Sequence, residues 1–245
     1  MRLPVPGRRP RPLVLGAWLA AVMLSTACGS ASPTGPTAGA PQTGTMAQPA
    51  PATARYRVTF AATWSAATHP QDFPDDPHFS PLVGATHAAT VRFWAEAAIA
   101  SDGIRRMAEQ GLTSPLDTEI GSAIGAGTAR TLLRGSGIGR SPGSTSVEFE
   151  AARSHPLLTL VAMVAPSPDW FVGVSALPLF DGTAWVTAAT VDLRPWDAGT
   201  DGGRSYESAD QTLAPRQPIA PLTGFPVAVN GAVAPLGRFV IERLP

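Results

Sequence analysis

Apolar and polar positions alternate along several stretches of the chain, and this two-residue period predicts strands. In RYRVTFAATW (55–64), Tyr56, Val58, Phe60 and Trp64 fall on one face, with Arg57 and Thr59 on the other. TVRFWAEAA (90–98) and STSVEFEAA (144–152) read the same way, and the second sets Val147 and Phe149 opposite Glu148 and Glu150. LLTLVAMVA (157–165) is nearly all apolar, as a central strand covered on both faces would be. WFVGVSALPL (170–179), AWVTAATVDL (184–193) and GRFVIERL (237–244) add three more strands. Two stretches change to a helical period. SDGIRRMAEQG (101–111) offers Ser101 as a cap, Ile104 and Met107 on one side and Gly111 as the stop. SPLDTEIGSAIGAGTARTLLRG (114–135) spaces Leu116, Ile120 and Ile124 along one helix face. Many short strands with a short helical insertion predict an all-β fold, an antiparallel β-sandwich. Trp64, Trp94, Trp170, Trp185 and Trp196 are assigned to its core, Trp196 with the alternative of shielding the neighbouring loop.

The first 54 residues follow neither pattern. Four arginines precede the apolar run LVLGAWLAAVML (13–24), which is too short for a permanent membrane span and reads as an export signal. Small residues then lead into Cys28, the only cysteine of the chain. This arrangement resembles a lipoprotein signal over 1–27, cleaved so that Cys28 carries lipid. Ser25 departs from the aliphatic residue usual three positions before such a cysteine. Residues 28–54 are rich in Pro, Gly, Ala and Thr and carry no charge, too little apolar surface to offset the entropy of ordering, so they read as a linker. The folded domain is expected over 55–245.

Charge narrows the function. All eighteen basic residues are arginine, which removes lysine-based chemistry. Without the four leading arginines, fourteen remain against eighteen acids, a net charge near −4, which argues against nucleic acid as a partner. There is no His-Glu-x-x-His pair, and GSGIG (135–139) lacks the strand and helix context of a phosphate loop. His69, His78 and His87 recur at intervals of nine, which suits no simple zinc site; structural hydrogen bonds are expected of His69 and His87.

The chemistry concentrates in PSPDW (166–170) and RPWDAGTD (194–201). Gly199 lets the backbone curl so that Asp197 and Asp201 can face one cation, with Asp169 in a nearby corner. The competing reading is that these aspartates cap their own turns. Asp192 reads as a surface residue.

The longer stretch 166–208, the opening segments YRVTFAATWSAATHPQDFP (56–74) and HFSPLVGATH (78–87), and the closing VIERL (240–244) together resemble the spondin domain of the F-spondin/mindin type. The resemblance covers 55–244. It implies a C2-like antiparallel β-sandwich that binds calcium through loops at one end, with ligands at Asp169, Asp197, Asp201 and Glu150. It also implies a secreted adhesion or recognition module rather than an enzyme. Animal members carry further repeats and cysteines in this domain; this domain has none. Combined with the export signal, the expectation is a bacterial, lipid-anchored protein of the cell envelope that uses calcium to recognise a protein or glycan. The alternatives are a C2-like calcium-dependent lipid binder, with Arg194, Trp196 and Arg204 near the ion, and a periplasmic hydrolase.

Overall fold

The computed structural model describes residues 49–245. The signal segment 1–27, Cys28 and most of the linker lie outside the described residues. Thirteen strands and two helices follow in the order β1 (Thr53–Ala62), β2 (His78–Phe79), β3 (Val83–His87), α1 (Asp102–Gln110), α2 (Leu116–Gly125), β4 (Ala129–Arg134), β5 (Gly143–Ala152), β6 (Leu157–Ala165), β7 (Trp170–Pro178), β8 (Ala188–Leu193), β9 (Trp196–Asp197), β10 (Ala220–Pro221), β11 (Ala228–Val229), β12 (Ala232–Val233) and β13 (Gly237–Arg243). One sheet runs β5-β1-β13-β8. The other runs β10-β9-β7-β6-β3-β4, with β2 also on β6, and β11 and β12 form a separate hairpin. All pairings are antiparallel. The fold is the expected all-β sandwich with a short helical insertion.

The alternation in β1 does what the pattern requires. Tyr56, Val58 and Phe60 are fully buried between the sheets, meeting Phe239 and Ile241 of β13 and Leu158, Leu160 and Val164 of β6. The outward positions carry charge in matched register: Arg57 lies opposite both Glu148 and Glu242. β6 is apolar except for Thr159 because both of its faces are covered. Its second face, with Val161 and Met163, packs on a smaller core made by Ile104, Met107, Leu116, Ile120 and Trp94. Helix α1 has the predicted ends. Ser101 accepts from the Ile104 N–H at 3.2 Å, and Gly111 closes it at φ 66°. Its start is bonded to α2 as well, since Glu119 accepts from both Gly103 N–H and Ser101 Oγ at 2.7 Å.

Several boundaries differ from expectation. The 90–98 stretch is not a strand. Trp94 is buried as the alternation implied, but the backbone turns away, with Ala97 at φ 62°, and pairs only briefly near Ile99 and Pro218. The helix expected over 114–135 stops at Gly125, and 129–134 is strand β4 instead. The strand expected from 184 begins at Ala188. Folding also starts slightly before residue 55: the Pro51 carbonyl accepts from Trp185 Nε1 at 2.8 Å and from Arg153 Nε at 3.0 Å.

His69 and His87 are both fully buried and hydrogen-bonded. His87 donates from Nδ1 to the Ala88 carbonyl at 2.8 Å, so its Nε2 accepts from the Thr159 hydroxyl, also at 2.8 Å. Burial, the largest cause, holds both imidazoles below the usual histidine pKa, consistent with neutral rings.

Candidate functional site

Strand β6 ends at Ala165, and the chain turns through 166–169 before re-entering the sheet as β7 at Trp170. Strand β9 pairs with β7 so that Asp197 lies opposite Trp170. The Ala198 N–H also bonds to the Asp169 carbonyl at 3.1 Å. Sheet pairing thus brings the 166–169 corner and the 197–201 loop together, although 28 residues separate Asp169 from Asp197.

Within that corner the carboxylates are used unequally. Asp169 is fully buried. Its Oδ2 accepts three bonds, from Thr200 N–H at 2.7 Å, Asp201 N–H at 3.0 Å and the Thr200 hydroxyl at 3.1 Å. Its Oδ1 is buried and has no donor. Asp197 Oδ1 accepts from Gly199 N–H at 2.7 Å, which closes a local turn. Asp201 spends both oxygens on backbone, Oδ1 on Gly203 N–H at 2.8 Å and Oδ2 on Gln211 N–H at 2.6 Å. The turn-capping reading therefore describes one oxygen of Asp197 and one of Asp201, whose other oxygen ties the loop to the distant Gln211 N–H. Among the described residues, no three His, Cys, Asp or Glu side chains converge closely enough to hold a metal by side chains alone.

The electrostatics follow from this burial. Desolvation pushes the Asp169 carboxyl up to about 6, the Asp197 charge adds to the rise, and the Thr200 and Asp201 N–H groups oppose it. Burial also raises Asp197, opposed by the Gly199 N–H and reinforced by the Asp201 charge. A cation beside Asp169 Oδ1 would relieve both costs. Calcium takes six to eight oxygens, so beside the carboxylates of Asp169 and Asp197 it would need backbone carbonyls and water to complete its shell.

Gly199 is required for two reasons. Its φ is 72°, and a Cβ there would run into the carbonyl oxygen of Gln217. That closeness matters, because the Gln217 N–H bonds to the Gly199 carbonyl at 2.7 Å and ties the loop to the 213–225 segment. Behind the corner stands an aromatic wall. Tyr206 packs edge-on to Trp170 at 5.3 Å and tilted against Trp64 at 5.2 Å. Burial lifts the Tyr206 hydroxyl to about 12. Trp196 leans on Trp94 at 5.1 Å, on the outer core.

The structure does not bring Glu150 to this corner. Its carboxylate is ion-paired with Arg130 at 3.3 Å on exposed strand surface. It sits at the end of β5 next to the start of β6, whereas Asp169 follows the far end of β6. Nine residues of strand at ~3.3 Å each put those ends roughly 26 Å apart. The alternation in β5 had placed Glu150 on the solvent face correctly; only its grouping with the aspartates fails. Asp192 is exposed on β8, as expected. The sequence reading missed Thr200, whose hydroxyl and N–H both hold Asp169. The signal for it was its position inside DAGTD.

Comparisons with known proteins agree with this architecture. Human Spondin-2 is 34% identical over 243 residues, covering 94% of this chain and 71% of that protein. Human Spondin-1 is 35% identical over 208 residues, covering 78% of this chain, and the chain spans only 25% of its length. Rat Spondin-2 is 33% identical over 193 residues, covering 77% of this chain and 58% of that protein. The Spondin_N family model matches residues 54–228, from the first strand of the sandwich to the β11 hairpin and across the whole aspartate corner, and the chain belongs to that family.

Proposed function

We propose that this protein is a non-enzymatic recognition module of the spondin type, exported and tethered to a membrane through Cys28, whose loop end is organised by calcium. The observation that carries the calcium reading is Asp169 Oδ1, a carboxylate oxygen buried without a donor beside a second carboxylate whose charge already raises its pKa. Such an arrangement costs stability when both groups ionise, and a divalent cation offsets that cost directly. Asp169 and Asp197 would hold the ion. Asp201 and Thr200 would shape the loop around them, and Asp201 keeps lone pairs for a further contact. The ion supplies positive charge that fixes the 166–169 corner against the 197–204 loop.

The recognition reading is supported by the chain's membership of the Spondin_N family. The buried histidines serve as structural bonds in the sandwich and take no part in the corner. The tether reading is supported by the arginine-rich start, the short apolar run and the single cysteine.

Titration calorimetry of the purified protein with calcium chloride tests the central claim. One ion per chain is expected, with a melting temperature raised by roughly 5–10 °C in excess calcium relative to chelator. No heat of binding and identical melting in both conditions would remove calcium from the account. Mass spectrometry of detergent-extracted protein tests the tether, which requires acyl chains on an N-terminal Cys28 peptide.

A further inference from the structure

Next to the aspartate corner, the 197–204 loop and the 213–225 segment enclose a groove of about 660 Å³. That volume lies within the range of roughly 300–1,000 Å³ common for ligand sites. Its lining is chemically divided. Asp197, Asp201 and Arg204 contribute charge to it, and Leu213, Leu222 and Phe225 contribute apolar surface. Phe225 is 56% exposed, one of three large hydrophobic side chains exposed among the described residues. A second, Ile99, lies in a β-bridge with Pro218, which also lines the groove. A concave site of this size with mixed apolar and charged lining has the make-up of a ligand site.

Arg204 supplies the sign of the partner. Its side chain is exposed, and among the described residues it has no carboxylate within ion-pair distance. Other exposed arginines among those residues, such as Arg194 and Arg238, are likewise without an ion pair, but Arg204 is the arginine that lines this groove. Asp201 is buried and turns both oxygens onto backbone N–H groups, so when a cation offsets Asp197 the exposed guanidinium of Arg204 is the charge a ligand in this groove meets. The donor-less oxygen of Asp169 points to such a cation independently of the groove. We propose that the groove binds an acidic peptide segment of a partner protein, a carboxylate beside an aromatic or large aliphatic residue. The carboxylate pairs with Arg204, and the apolar side chain lies against Phe225 and Leu222. This inference rests on the calcium reading above and adds the chemical class of the partner.

The test uses the purified protein and three synthetic peptides, acetyl-Gly-Phe-Glu-Phe-Gly-amide and its Gln and Lys counterparts, titrated by calorimetry or NMR in calcium and in chelator. In calcium, the Glu peptide should bind roughly tenfold tighter than the Gln peptide, the scale of one charge-assisted hydrogen bond. Chelator should abolish that preference. Arg204→Ala should remove it too while leaving calcium binding, measured with peptide omitted, unchanged. Phe225→Ala should weaken the Glu and Gln peptides alike. Equal binding of the two in the presence of bound calcium, or tightest binding of the Lys peptide, overturns this inference and leaves the calcium site standing. Failure of calcium to bind with peptide omitted overturns both.

Discussion

Thr200 donates twice to a single oxygen of Asp169, through its N–H at 2.7 Å and its hydroxyl at 3.1 Å, so the 197–201 loop is held by one side of a carboxylate whose other side has no donor. One oxygen builds the loop and the other is left for a charge partner. This division explains how one residue can be structural and ligand-binding at once, and it sets the pH behaviour of the corner.

Without calcium, Asp169 should act as a destabilising group at neutral pH. Its folded pKa of about 6 lies above the ordinary 3.8, so the folded state holds the proton more tightly than the unfolded chain does. Its contribution to stability is full below about 3.8 and is lost as pH rises through about 6, a difference on the order of 3 kcal/mol. Asp169→Asn keeps the acceptor for Thr200 and mimics the protonated form. In chelator at pH 7 the variant should therefore match or exceed the wild type, by up to about 3 kcal/mol in urea denaturation. In calcium the order should reverse. A variant weaker than the wild type by the same amount at pH 4.5 and pH 7.5 in chelator would refute this account of the corner.

Gly199→Ala should be costly wherever calcium stands. The left-handed backbone costs a non-glycine residue about 1–2 kcal/mol, and displacement of the Gln217 carbonyl adds to that. Loss of at least about 2 kcal/mol in denaturant unfolding is expected. A change within ~0.5 kcal/mol would mean that the loop relaxes freely and that Gly199 is not needed for its shape.

These two residues also show what could be read from the chain. The alternation over β1 and β5 and the nearly all-apolar run of β6 placed those strands, because side-chain burial there follows the faces of the strand that are covered. The 90–98 stretch misled for the same reason in reverse. Trp94 is buried, but under the sheet's outer face, by a segment whose backbone is irregular and makes only isolated pairing, and a pattern of burial cannot report backbone pairing. The helix expected to run to residue 135 failed at Gly125 and Gly127, where the apolar positions of β4 continue without a helix to carry them. At the site, the aspartates were legible as a group, yet which oxygen serves which N–H depends on pairing between β7 and β9. Glu150 lay outside that reach. Nothing local in STSVEFEAA tells which end of the sandwich it occupies.

Thr159 should prove a structural linchpin far from the corner. Its hydroxyl donates to His87 Nε2 and accepts the Ala176 N–H at 3.0 Å, where β7 departs from regular register with Ala176 at φ 54°. Thr159→Val keeps the shape but strands the buried His87 Nε2 and the partly buried Ala176 N–H, costing about 2–4 kcal/mol in denaturation. A loss below ~0.5 kcal/mol would show that the two nitrogens find other partners.

The decisive comparison for the corner is a set of carboxamide variants melted in chelator and in millimolar calcium. Asp197→Asn removes a charge that acts on Asp169 and preserves the acceptor for Gly199 N–H, so the turn survives while the cation loses a ligand. Its calcium-induced melting shift should fall well below the roughly 5–10 °C expected of the wild type. Asp201→Asn is different in kind. Both of its oxygens take backbone N–H groups, and an amide can serve only one of them, so the variant should melt lower even in chelator. Asp192→Asn and Glu150→Gln stand on exposed strand surface and should keep the full calcium shift, although Glu150→Gln weakens an exposed ion pair with Arg130 that is worth less than about 1 kcal/mol. An equal calcium shift in Asp197→Asn and Asp192→Asn would break the link between the corner and the ion, leaving DAGTD as a turn whose aspartates serve only the backbone.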